Sequence, residues 1–443
     1  MNIQSAIDAN PAGTTFCLAA GTYRITTGVI PKTGDALIGE PGATLNGSKL
    51  LTTFTREGAY WVAAGQTQQA PVYDATCIPA TYTGCIYPEG VYRDDASLRQ
   101  VTSLADLVSG AFYFDYAADK IYLFDDPAGH KIEASYVPEA LRGFSTYQTN
   151  ITIRGLVVEK FANWPTDKTF AISSGQGWTL ENNEVRLNTG GGIRADTGSV
   201  VRGNNVHHNG RVGVSTAFAD NVLFEANEIA YNDEADFDFW NAGGTKFWDT
   251  SNLILRNNYV HDNQGAGLRT DGSSVYVTFE GNTIVDNTGP GIYHEICYDA
   301  IIRDNIVRNN NTSETGSSLF YGAQIMVYDS PNVEVYGNTV EALPGTHGIG
   351  LRDDDRGSGD LGKWEIRNVY VHDNTIRMDG AGTNGLAGNR TLDVYAGLRW
   401  DANTYYVRTT GSYWFWGTGA AAPQTWEQWQ GLGHDLTGTR VLW

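Results

Sequence analysis

The feature of this sequence that most constrains its fold is a short phrase, Asn-x-Val/Ile-x-x-Asn, that recurs from residue 183 onward. It appears as NEVRLN, NNVHHN, NEIAYN, NYVHDN, NTIVDN and NIVRNN, and then fades to NTVEAL and NTIRMD. The leading asparagines are Asn183, Asn204, Asn227, Asn258, Asn282, Asn305, Asn338 and Asn374. Their spacings are 21, 23, 31, 24, 23, 33 and 36 residues. A base period of about 22 residues with occasional insertions predicts a solenoid, in which each repeat is one coil of about three short strands.

The residue types in the repeat indicate which solenoid this is. Leucine-rich repeats have a similar period, but they need a recurring leucine pattern that this sequence lacks. In a parallel β-helix the periodic Val and Ile would fill the bore, and the asparagine amides would stack from coil to coil about 4.8 Å apart. The 52 glycines suit the many turns of such a fold. We therefore predict an all-β chain that folds as a right-handed parallel β-helix.

The repeat is interrupted in a way that predicts four segments. We expect residues 1–52 to form an N-terminal cap and the first coils. Residues 53–138 lack the asparagine phrase but contain alternating runs such as GAFYFDYAADKIYLFDD, which predict a small antiparallel β-sandwich inserted into the helix. Residues 139–392 would be the main β-helix with the catalytic face. Residues 393–443 are rich in aromatics, and we expect them to pack on the helix and to cover its exposed strand edge.

The charge balance restricts the partners of the chain. With 30 Lys and Arg against 50 Asp and Glu, the formal net charge is −20, which disfavours nucleic acids and anionic membrane surfaces. No run of 18 or more apolar residues predicts a transmembrane helix. A neutral glycan is the easier partner, and an acidic one would need a local basic site. We expect an extracellular or periplasmic protein whose leader was trimmed; the sequence predicts no oligomeric state.

The cysteines favour disulfide chemistry over metal binding. Cys77 and Cys85 lie eight residues apart in a loop-rich stretch, so a local disulfide is one of two open interpretations. Cys17 and Cys297 lie in apolar runs, and we expect buried free thiols there. No Cys/His cluster predicts a zinc site.

Two acidic stretches leave calcium as an alternative. Asp353, Asp354 and Asp355 in RDDDRG loosely resemble a calcium loop, and Asp236 and Asp238 lie in another insertion. Solvated turns explain both stretches more simply. We therefore expect no cofactor and no catalytic metal, with structural calcium as the open alternative.

Two carboxylates occupy matched positions in the repeat. Asp271 lies 13 residues after Asn258, and Glu295 lies 13 residues after Asn282. Residues at one position of consecutive coils point the same way, roughly 5 Å apart. Hydrolysis of a glycosidic bond needs one carboxylate and one carboxylic acid, about 5–5.5 Å apart in retaining enzymes and about 6.5–9.5 Å apart in inverting ones. The register therefore predicts a retaining glycosidase site. The competing interpretation is that Asp271 and Glu295 are solvated turn residues.

Cationic side chains are expected beside this pair. Counting back from Asn258 brings Lys246 near the ladder position of Asp271, where it would keep the carboxylate ionised or bind the substrate. Arg269 and His294 flank the two carboxylates in the sequence, although strand alternation turns some of these side chains away.

Aromatic side chains near the pair are candidates for binding a sugar. Trp240, Trp248 and Tyr293 have rings that would stack on the apolar face of a sugar ring. Ordinary packing is the competing interpretation for each tryptophan.

The run AGGTKFW…NNYVHDNQGAGLRTDGSS…FEGNTIVDNTGPGIYHEICYDAIIRDN resembles the β-helix glycoside hydrolases of the pectate-lyase-like superfamily. These include bacterial β-xylosidase-type enzymes with a β-sandwich inserted in the β-helix, and the aromatic tail is similar to that group too. The resemblance implies that Asp271 of GLRTD is the nucleophile and Glu295 of GIYHE the general acid/base. Such sequences often have Trp where this one has Arg269, a departure that favours an acidic sugar.

Two other functions fit the same scaffold. A polysaccharide lyase would abstract the proton α to a uronic carboxyl, with Lys246, Arg269 and His294 as base and cationic clamp. A glycan-binding fibre without catalysis is the third reading, although no heptad run predicts the extended end that such fibres carry.

Overall fold

The computed structural model describes residues 2–69, 76–79, 81–144, 146–164, 169–237, 242–312, 320–388, 395, 397–418 and 421–443. They form two compact units. Unit 1 comprises Met1–Ser199, Asn204–Val214 and Asn232–Ala242; unit 2 comprises Val200–Gly203, Ser215–Tyr231 and Gly243–Trp443. Within these ranges the structure has no helix long and apolar enough to cross a membrane.

Unit 1 begins with the helix α1 (Ile3–Ala9), whose N-cap is Asn2. Its parallel strands then form three sheets. The first contains β1 (Thr15–Leu18), β3 (Ala36–Gly39), β14 (Thr152–Arg154) and β17 (Thr179–Glu181). The second contains β2 (Gly21–Arg24), β4 (Ala43–Asn46), β15 (Val157–Glu159), β18 (Glu184–Arg186) and β21 (Asn205–His207). The third contains β13 (Leu141–Arg142), β16 (Phe170–Ser173) and β19 (Gly191–Ala195).

The segment inserted in unit 1 forms one sheet of eight strands, in the order β5-β12-β8-β9-β10-β11-β7-β6. The strands are β5 (Ser48–Leu50), β6 (Thr55–Glu57), β7 (Tyr60–Ala64), β8 (Val91–Arg93), β9 (Ala96–Val101), β10 (Ala111–Asp115), β11 (Lys120–Leu123) and β12 (Ile132–Ser135). All pairs are antiparallel except β9 with β10, which a short 3-10 turn at Leu104–Asp106 connects. One buried cluster contains Val91, Phe112, Ile121 and Ile132, so strands from both halves of the order share one core.

Unit 2 repeats the three-sheet arrangement. Its first sheet contains β20 (Val200–Arg202), β23 (Leu223–Glu225), β26 (Ile254–Arg256), β29 (Val277–Glu280), β32 (Ala300–Arg303), β35 (Val333–Tyr336), β40 (Val369–His372) and β43 (Arg399–Asp401). Its second contains β24 (Glu228–Ala230), β27 (Tyr259–His261), β30 (Thr283–Val285), β33 (Ile306–Arg308), β36 (Thr339–Ala342), β41 (Thr375–Met378), β44 (Thr404–Val407) and β46 (Thr439–Leu442).

The third sheet of unit 2 carries the residues singled out by the sequence. It contains β25 (Gly243–Ser251), β28 (Leu268–Asp271), β31 (Ile292–Glu295), β34 (Ala323–Tyr328), β37 (His347–Asp353), β42 (Asn384–Gly388) and β45 (Trp414–Thr418). A hairpin of β38 (Ser358–Gly359) and β39 (Gly362–Lys363) follows β37, and β22 (Val212–Asp220) is divided between the units. The chain is thus a right-handed parallel β-helix, and the predicted fold class is confirmed.

Buried asparagines link the coils in the way that the repeat predicts. In unit 2 the Nδ2 of Asn258 donates to Oδ1 of Asn282, and that of Asn282 donates to Oδ1 of Asn305, each over 3.0 Å. The same contact runs through Asn227, Asn258, Asn282, Asn305, Asn338, Asn374 and Asn403. It ends on Asp435, whose Oδ1 accepts from Asn403 over 2.8 Å. Buried polar groups are satisfied here by one another, which fixes the coil register.

The aromatic-rich C-terminal segment supplies strands of the sheets themselves. The strand β43 pairs with β40, β44 with β41 and β45 with β42, all in parallel. The helix α2 (Trp426–Gly431) follows, starting in a capping box formed by Thr425 and Gln428. Trp429 is fully buried against Trp400 with ring centroids 5.5 Å apart, so large rings fill the bore that Val and Ile fill elsewhere.

The cysteines divide into one pair and two free thiols. Cys77 and Cys85 form a disulfide, with their Cα atoms 5.8 Å apart. Cys297 is a buried free thiol as expected, whereas Cys17 is exposed, which corrects the expectation for that residue. Cys17 lies on β1, whose alternating residues face solvent.

Candidate active site

The third sheet of unit 2 brings the two predicted carboxylates onto consecutive coils. Arg269 on β28 pairs with Tyr293 on β31, and Thr270 pairs with His294. Asp271 and Glu295 are the next residues in this register, 24 positions apart. Since alternate residues of a strand face opposite sides, Asp271 and Glu295 point outward together, away from the bore that His294 and Thr270 face.

One guanidinium group joins the two carboxylates. The Nη2 atom of Arg269 lies 2.7 Å from Oε2 of Glu295 and 3.3 Å from Oδ2 of Asp271. Because both oxygens contact one nitrogen, they lie within about 6 Å of each other. Burial alone would lower the pKa of Arg269, but the charges of Glu295 and Asp271 raise it above its ordinary value. Arg269 thus contacts both carboxylates of the pair.

A second arginine closes Glu295 from the other side. Arg356, in the turn after β37, contacts Oε1 of Glu295 through its Nη1. The side chain of Glu295 has no exposed surface, whereas that of Arg356 is one-third exposed. The guanidinium of Arg356 also lies over the ring of Tyr328, 4.9 Å from its centroid. Both oxygens of Glu295 are therefore engaged by cations, and Arg356 is the outer of the two.

Lys246 lies near Asp271, as its position in the repeat predicts. The strand register pairs Trp248 with Asp271, because the offset between β25 and β28 is 23 residues and not 24. Lys246 lies two residues before Trp248 and so shares its face of the strand. Its Nζ is 3.6 Å from Oδ2 of Asp271, and the Asp271 side chain keeps 14% of its surface exposed. The nucleophile candidate is thus the open member of the carboxylate pair.

Two tyrosines line the face beside the carboxylates. Tyr293 is fully buried under Arg269, whose guanidinium is 5.2 Å from its ring centroid, and it stacks on Tyr328 with ring centroids 6.3 Å apart. The pKa of Tyr293 is raised well above its ordinary value by burial and by the charge of Glu295. Tyr328 pairs with Glu295 across β31 and β34, and its hydroxyl donates to Asp354 over 2.6 Å. These rings therefore pack beneath the cations and present no free face for a sugar.

Trp248 is an aromatic candidate whose side chain is exposed to solvent. Its side chain is 39% exposed, and its ring meets that of Phe218 edge to face with centroids 4.6 Å apart. Phe218 is 64% exposed and has a φ of 54°, an uncommon conformation for a bulky residue. Trp240 lies outside the described residues. Trp248 and Phe218 together form a platform, named here the aromatic platform, beside Asp271.

His294 does not reach the carboxylates. It lies in the bore, where Thr270 Oγ1 is 2.7 Å from its Nδ1 and the carbonyl of Tyr298 accepts from its Nε2 over 2.7 Å. Burial lowers the pKa of His294 to about 4, so the ring is neutral at physiological pH. The expectation that it contacts substrate is corrected by strand alternation, which turns it to the opposite face from Glu295.

The acidic stretches considered for calcium are engaged within the protein. Oδ2 of Asp353 accepts from the backbone of Ile366 over 2.9 Å, and Asp354 accepts from Arg352 and Tyr328. Asp236 pairs with Arg99, and Asp238 lies outside the described residues. Across the ranges that the structure describes, no three His, Cys, Asp or Glu side chains are grouped to hold a metal ion.

Sequence reasoning missed Arg356, Tyr328 and Phe218. Tyr328 could have been found by counting. It follows Glu295 by 33 residues, the same spacing that separates Asn305 from Asn338, and the two residues are paired on adjacent strands. Arg356 was visible in RDDDRG, but it reaches Glu295 from an inserted turn, which no periodicity predicts. Phe218 gave no signal in the sequence.

Comparisons with known proteins agree with this fold. The family model described as a right handed beta helix region matches residues 170–340. No curated protein matches the sequence. Among solved structures, that of XylC in complex with xylose is 14% identical and has a TM-score of 0.73, covering 92% of this chain and 80% of that one. The A-module of the Azotobacter vinelandii mannuronan C-5 epimerase AlgE6 is 16% identical, with a TM-score of 0.54 and 95% of each chain covered.

Proposed function

We propose that this protein acts on a glycan and hydrolyses glycosidic bonds with retention of configuration. The observation that carries the proposal is the pair of Asp271 and Glu295 on one face of the third sheet, whose nearest oxygens lie within about 6 Å. That limit fits the separation of about 5–5.5 Å between the nucleophile and the acid/base of retaining enzymes. A β-helix of similar fold holds xylose in the XylC structure, which supports a sugar as the ligand.

The roles of the two carboxylates are those that the resemblance to β-helix glycoside hydrolases implies for their positions, with Asp271 as the nucleophile and Glu295 as the general acid/base. Asp271 is partly exposed and flanked by Lys246 and Arg269, which stabilise its anion as a nucleophile requires. An oxygen of Asp271 attacks the anomeric carbon as the bond from that carbon to the leaving oxygen breaks. Glu295 in its protonated form gives its proton to the leaving oxygen. It then takes a proton from the water that cleaves the glycosyl ester and returns Asp271 to its free form.

The matching experiment compares the wild type with Asp271→Asn and Glu295→Gln. Substrates are aryl glycosides and plant or bacterial polysaccharides, with reducing ends and ultraviolet absorbance followed together. We expect reducing ends without absorbance, and a fall in kcat of about 10²–10⁴-fold in each variant. Asp286→Asn, an exposed turn residue on the same coil, is the matched control and should retain full activity. Activity that survives both active-site substitutions would contradict the proposal.

The cations favour one second candidate, a polysaccharide lyase. Lys246, Arg269 and Arg356 lie around the carboxylates and would stabilise the enolate formed from a uronic acid. With His294 neutral in the bore, Lys246 remains as the base. A lyase product absorbs in the ultraviolet at its unsaturated end. Ultraviolet absorbance that rises together with the reducing ends would therefore favour the lyase over the hydrolase. A glycan that binds without any turnover would favour the non-catalytic alternative.

A further inference from the structure

In the structure, Glu295 is closed to any substrate. Its Oε2 contacts Arg269 and its Oε1 contacts Arg356, and the side chain has no exposed surface. A general acid must come within hydrogen-bond reach of the oxygen that receives its proton. The proposed role of Glu295 therefore requires that a part of the protein which covers it moves when substrate binds.

The segment of residues 354–366 is fixed to the β-helix at both of its ends. It follows β37 and includes the hairpin of β38 and β39. At one end, the backbone of Asp354 donates to Oδ1 of the buried Asp329 over 3.0 Å. At the other end, the backbone of Ile366 donates to Oδ2 of the buried Asp353 over 2.9 Å. These buried carboxylates hold the base of the segment in place.

Between its ends, the segment is exposed and keeps its own shape. The strands β38 and β39 pair with each other, and the backbone of Trp364 donates to the carbonyl of Gly357 over 3.0 Å. Lys363 pairs with Asp355 over 2.8 Å. Most of the remaining surface is open to solvent, since the exposed residues are 355–358 and 360–363. An exposed hairpin with internal contacts can move as one body about its fixed ends.

The hairpin lies against the turns that follow β28 and β31. The hydroxyl of Tyr298 donates to the carbonyl of Gly362 over 2.8 Å. Gly359 lies so close to Ser273 that a Cβ added at Gly359 would overlap Oγ of Ser273. Since Ser273 and Tyr298 each follow one of the two carboxylates by two or three residues, the hairpin borders the candidate active site directly.

One interaction opposes this position of the hairpin. Asp360 lies on its exposed part, and burial together with the charge of Asp360 raises the pKa of Asp249 on β25. A neighbouring like charge disfavours the charged form of a carboxyl group. Movement of the hairpin away from β25 therefore relieves a repulsion.

Arg356 covers Glu295 from this segment, whereas Arg269 covers it from the β-helix itself. The side chain of Arg356 is one-third exposed, and its charge acts on Asp329 at the base of the segment as well as on Glu295. Arg269 is almost fully buried and lies on β28, which is paired with β31. A surface hairpin opens at lower cost than a strand inside a sheet, so Arg356 is the cover that moves.

We propose that residues 354–366 form a lid over the candidate active site, and that opening of the lid withdraws Arg356 and exposes Glu295 to substrate. The inference rests on the proposed function and adds a conformational step to it. With the lid closed, Glu295 is paired with Arg356 and shielded from solvent. With the lid open, Oε1 of Glu295 is free for the glycosidic oxygen, while Arg269 stays on its strand. The step separates an ion pair and makes or breaks no covalent bond.

A reversible cross-link tests the lid. The close approach of Gly359 to Ser273 suits a disulfide, whose Cβ atoms lie about 3.5–4.5 Å apart. The test compares Ser273→Cys/Gly359→Cys with Ser273→Ala/Gly359→Cys, which carries the same substitution on the lid without a partner for it. All proteins also carry Cys17→Ser, because Cys17 is an exposed thiol. Each is assayed oxidised and after reduction with dithiothreitol, and Cys17→Ser alone reports any effect of reducing the disulfide between Cys77 and Cys85.

In the oxidised double-cysteine variant we expect kcat/KM, on the glycosides that the wild type cleaves, to fall by about 10-fold or more. The reason is that substrate binds in proportion to the fraction of molecules with an open lid. Reduction should restore the activity, and the control should be equally active in both states. If the variant keeps its activity once mass spectrometry has shown the cross-link to be complete, substrate reaches Glu295 past a closed hairpin. That result would overturn the lid and leave hydrolysis standing.

Electron paramagnetic resonance observes the lid without substrate and so separates it from hydrolysis. Nitroxide labels are attached at Leu361→Cys on the lid and at Ile306→Cys, another exposed position of unit 2, again with Cys17→Ser. We expect two distances between the labels, one of which matches the closed position, with a smaller share of the closed distance in Arg356→Met. Arg202→Met removes a half-exposed cation elsewhere and should leave both shares unchanged.

Two label distances, with no glycoside cleaved by any of the proteins, would overturn hydrolysis and leave the lid standing. A single distance that Arg356→Met does not change would show that the hairpin is a fixed part of the fold. The lid would then be overturned, whatever the activity.

Discussion

Trp248 and Asp271 are paired residues on adjacent parallel strands, so the exposed indole lies one coil before the candidate nucleophile. The ring of Trp248 meets Phe218 edge to face, and both are open to solvent. Exposed aromatic rings next to a carboxylate are typical of sugar binding, because the apolar face of a sugar packs on a ring. We infer that the aromatic platform holds a sugar unit next to the one attacked.

Trp248→Ala should therefore weaken substrate binding more than catalysis. Loss of one ring contact of about 0.5–1.5 kcal/mol predicts a rise in KM of about 2- to 12-fold, with a smaller change in kcat. Steady-state kinetics on an oligosaccharide substrate measure both. Tyr406→Ala removes a partly exposed ring from the second sheet of unit 2 and should change neither parameter. A fall in kcat at constant KM would count against the platform.

Gly272→Ala should disturb the same platform through the backbone. Gly272 has a φ of +60°, and an added Cβ would lie 1.7 Å from Nε1 of Trp248. The substitution strains the turn by about 1–2 kcal/mol and displaces the indole. We expect a KM increase like that of Trp248→Ala and a lower midpoint of urea unfolding. In the double variant with Trp248→Ala, the effects on KM should not add, because both act on one ring; additive effects would show that they are independent.

Asp329 should make stability depend on pH. Burial, together with the charge of Asp353, raises the pKa of Asp329 to about 7. Between about pH 4 and 7 the folded chain keeps this proton while the unfolded chain has lost it, so the free energy of unfolding falls as pH rises, by at most about 1.4 kcal/mol per pH unit. Below pH 4 the contribution is fully present.

Asp329→Asn keeps an acceptor for the backbone of Asp354 and tolerates the φ of 46° at this position. Urea unfolding at pH 5, 6, 7 and 8 should show the variant gaining stability over the wild type as pH rises. Asp286→Asn, on an exposed turn, should follow the wild type. Parallel curves for Asp329→Asn and the wild type would contradict the assignment.

Asn282→Ala should be strongly destabilising. The amide of Asn282 donates to Leu255 and Asn305, and its Oδ1 accepts from the backbone and the side chain of Asn258. Truncation leaves buried groups on both neighbouring coils without partners, which predicts a loss of about 2–4 kcal/mol in the free energy of unfolding. Thr283→Ala, the next residue, should stay within about 0.5 kcal/mol. A loss as small for Asn282→Ala would show that the amide chain is dispensable.

The sequence located the carboxylate pair because Asp271 and Glu295 each follow a ladder asparagine by 13 residues, so one count applied to both coils. It also placed Lys246 near Asp271, in agreement with their contact of 3.6 Å, although the strand register puts Trp248 directly opposite Asp271. It missed Arg356 because a turn outside the period brings that side chain back to Glu295, 61 residues away in the chain. Periodicity predicts which residues occupy equivalent positions on consecutive coils. It cannot predict contacts made by inserted turns.

The repeat pattern did not reveal the final coil, because its residue types differ from those of the earlier coils. Asn403 continues the asparagine series, but Trp400 and Tyr405 beside it replace the Val and Ile that mark the earlier coils. The rings fill the bore as the aliphatic side chains do, so only the residue types changed and not the geometry.

The hydrogen bonds between the stacked asparagine amides of unit 2 all run in one direction. Every asparagine passes a hydrogen toward the C-terminus, so a further asparagine at the last rung would hold hydrogens with no coil to receive them. Asp435 accepts from Asn403, Tyr405 and Trp429 and, as a carboxylate, has nothing to pass on. The chain of hydrogen-bonded amides therefore ends at Asp435, because this side chain only accepts. Extending the protein by one repeat would require returning position 435 to a donor and moving the carboxylate to the new end.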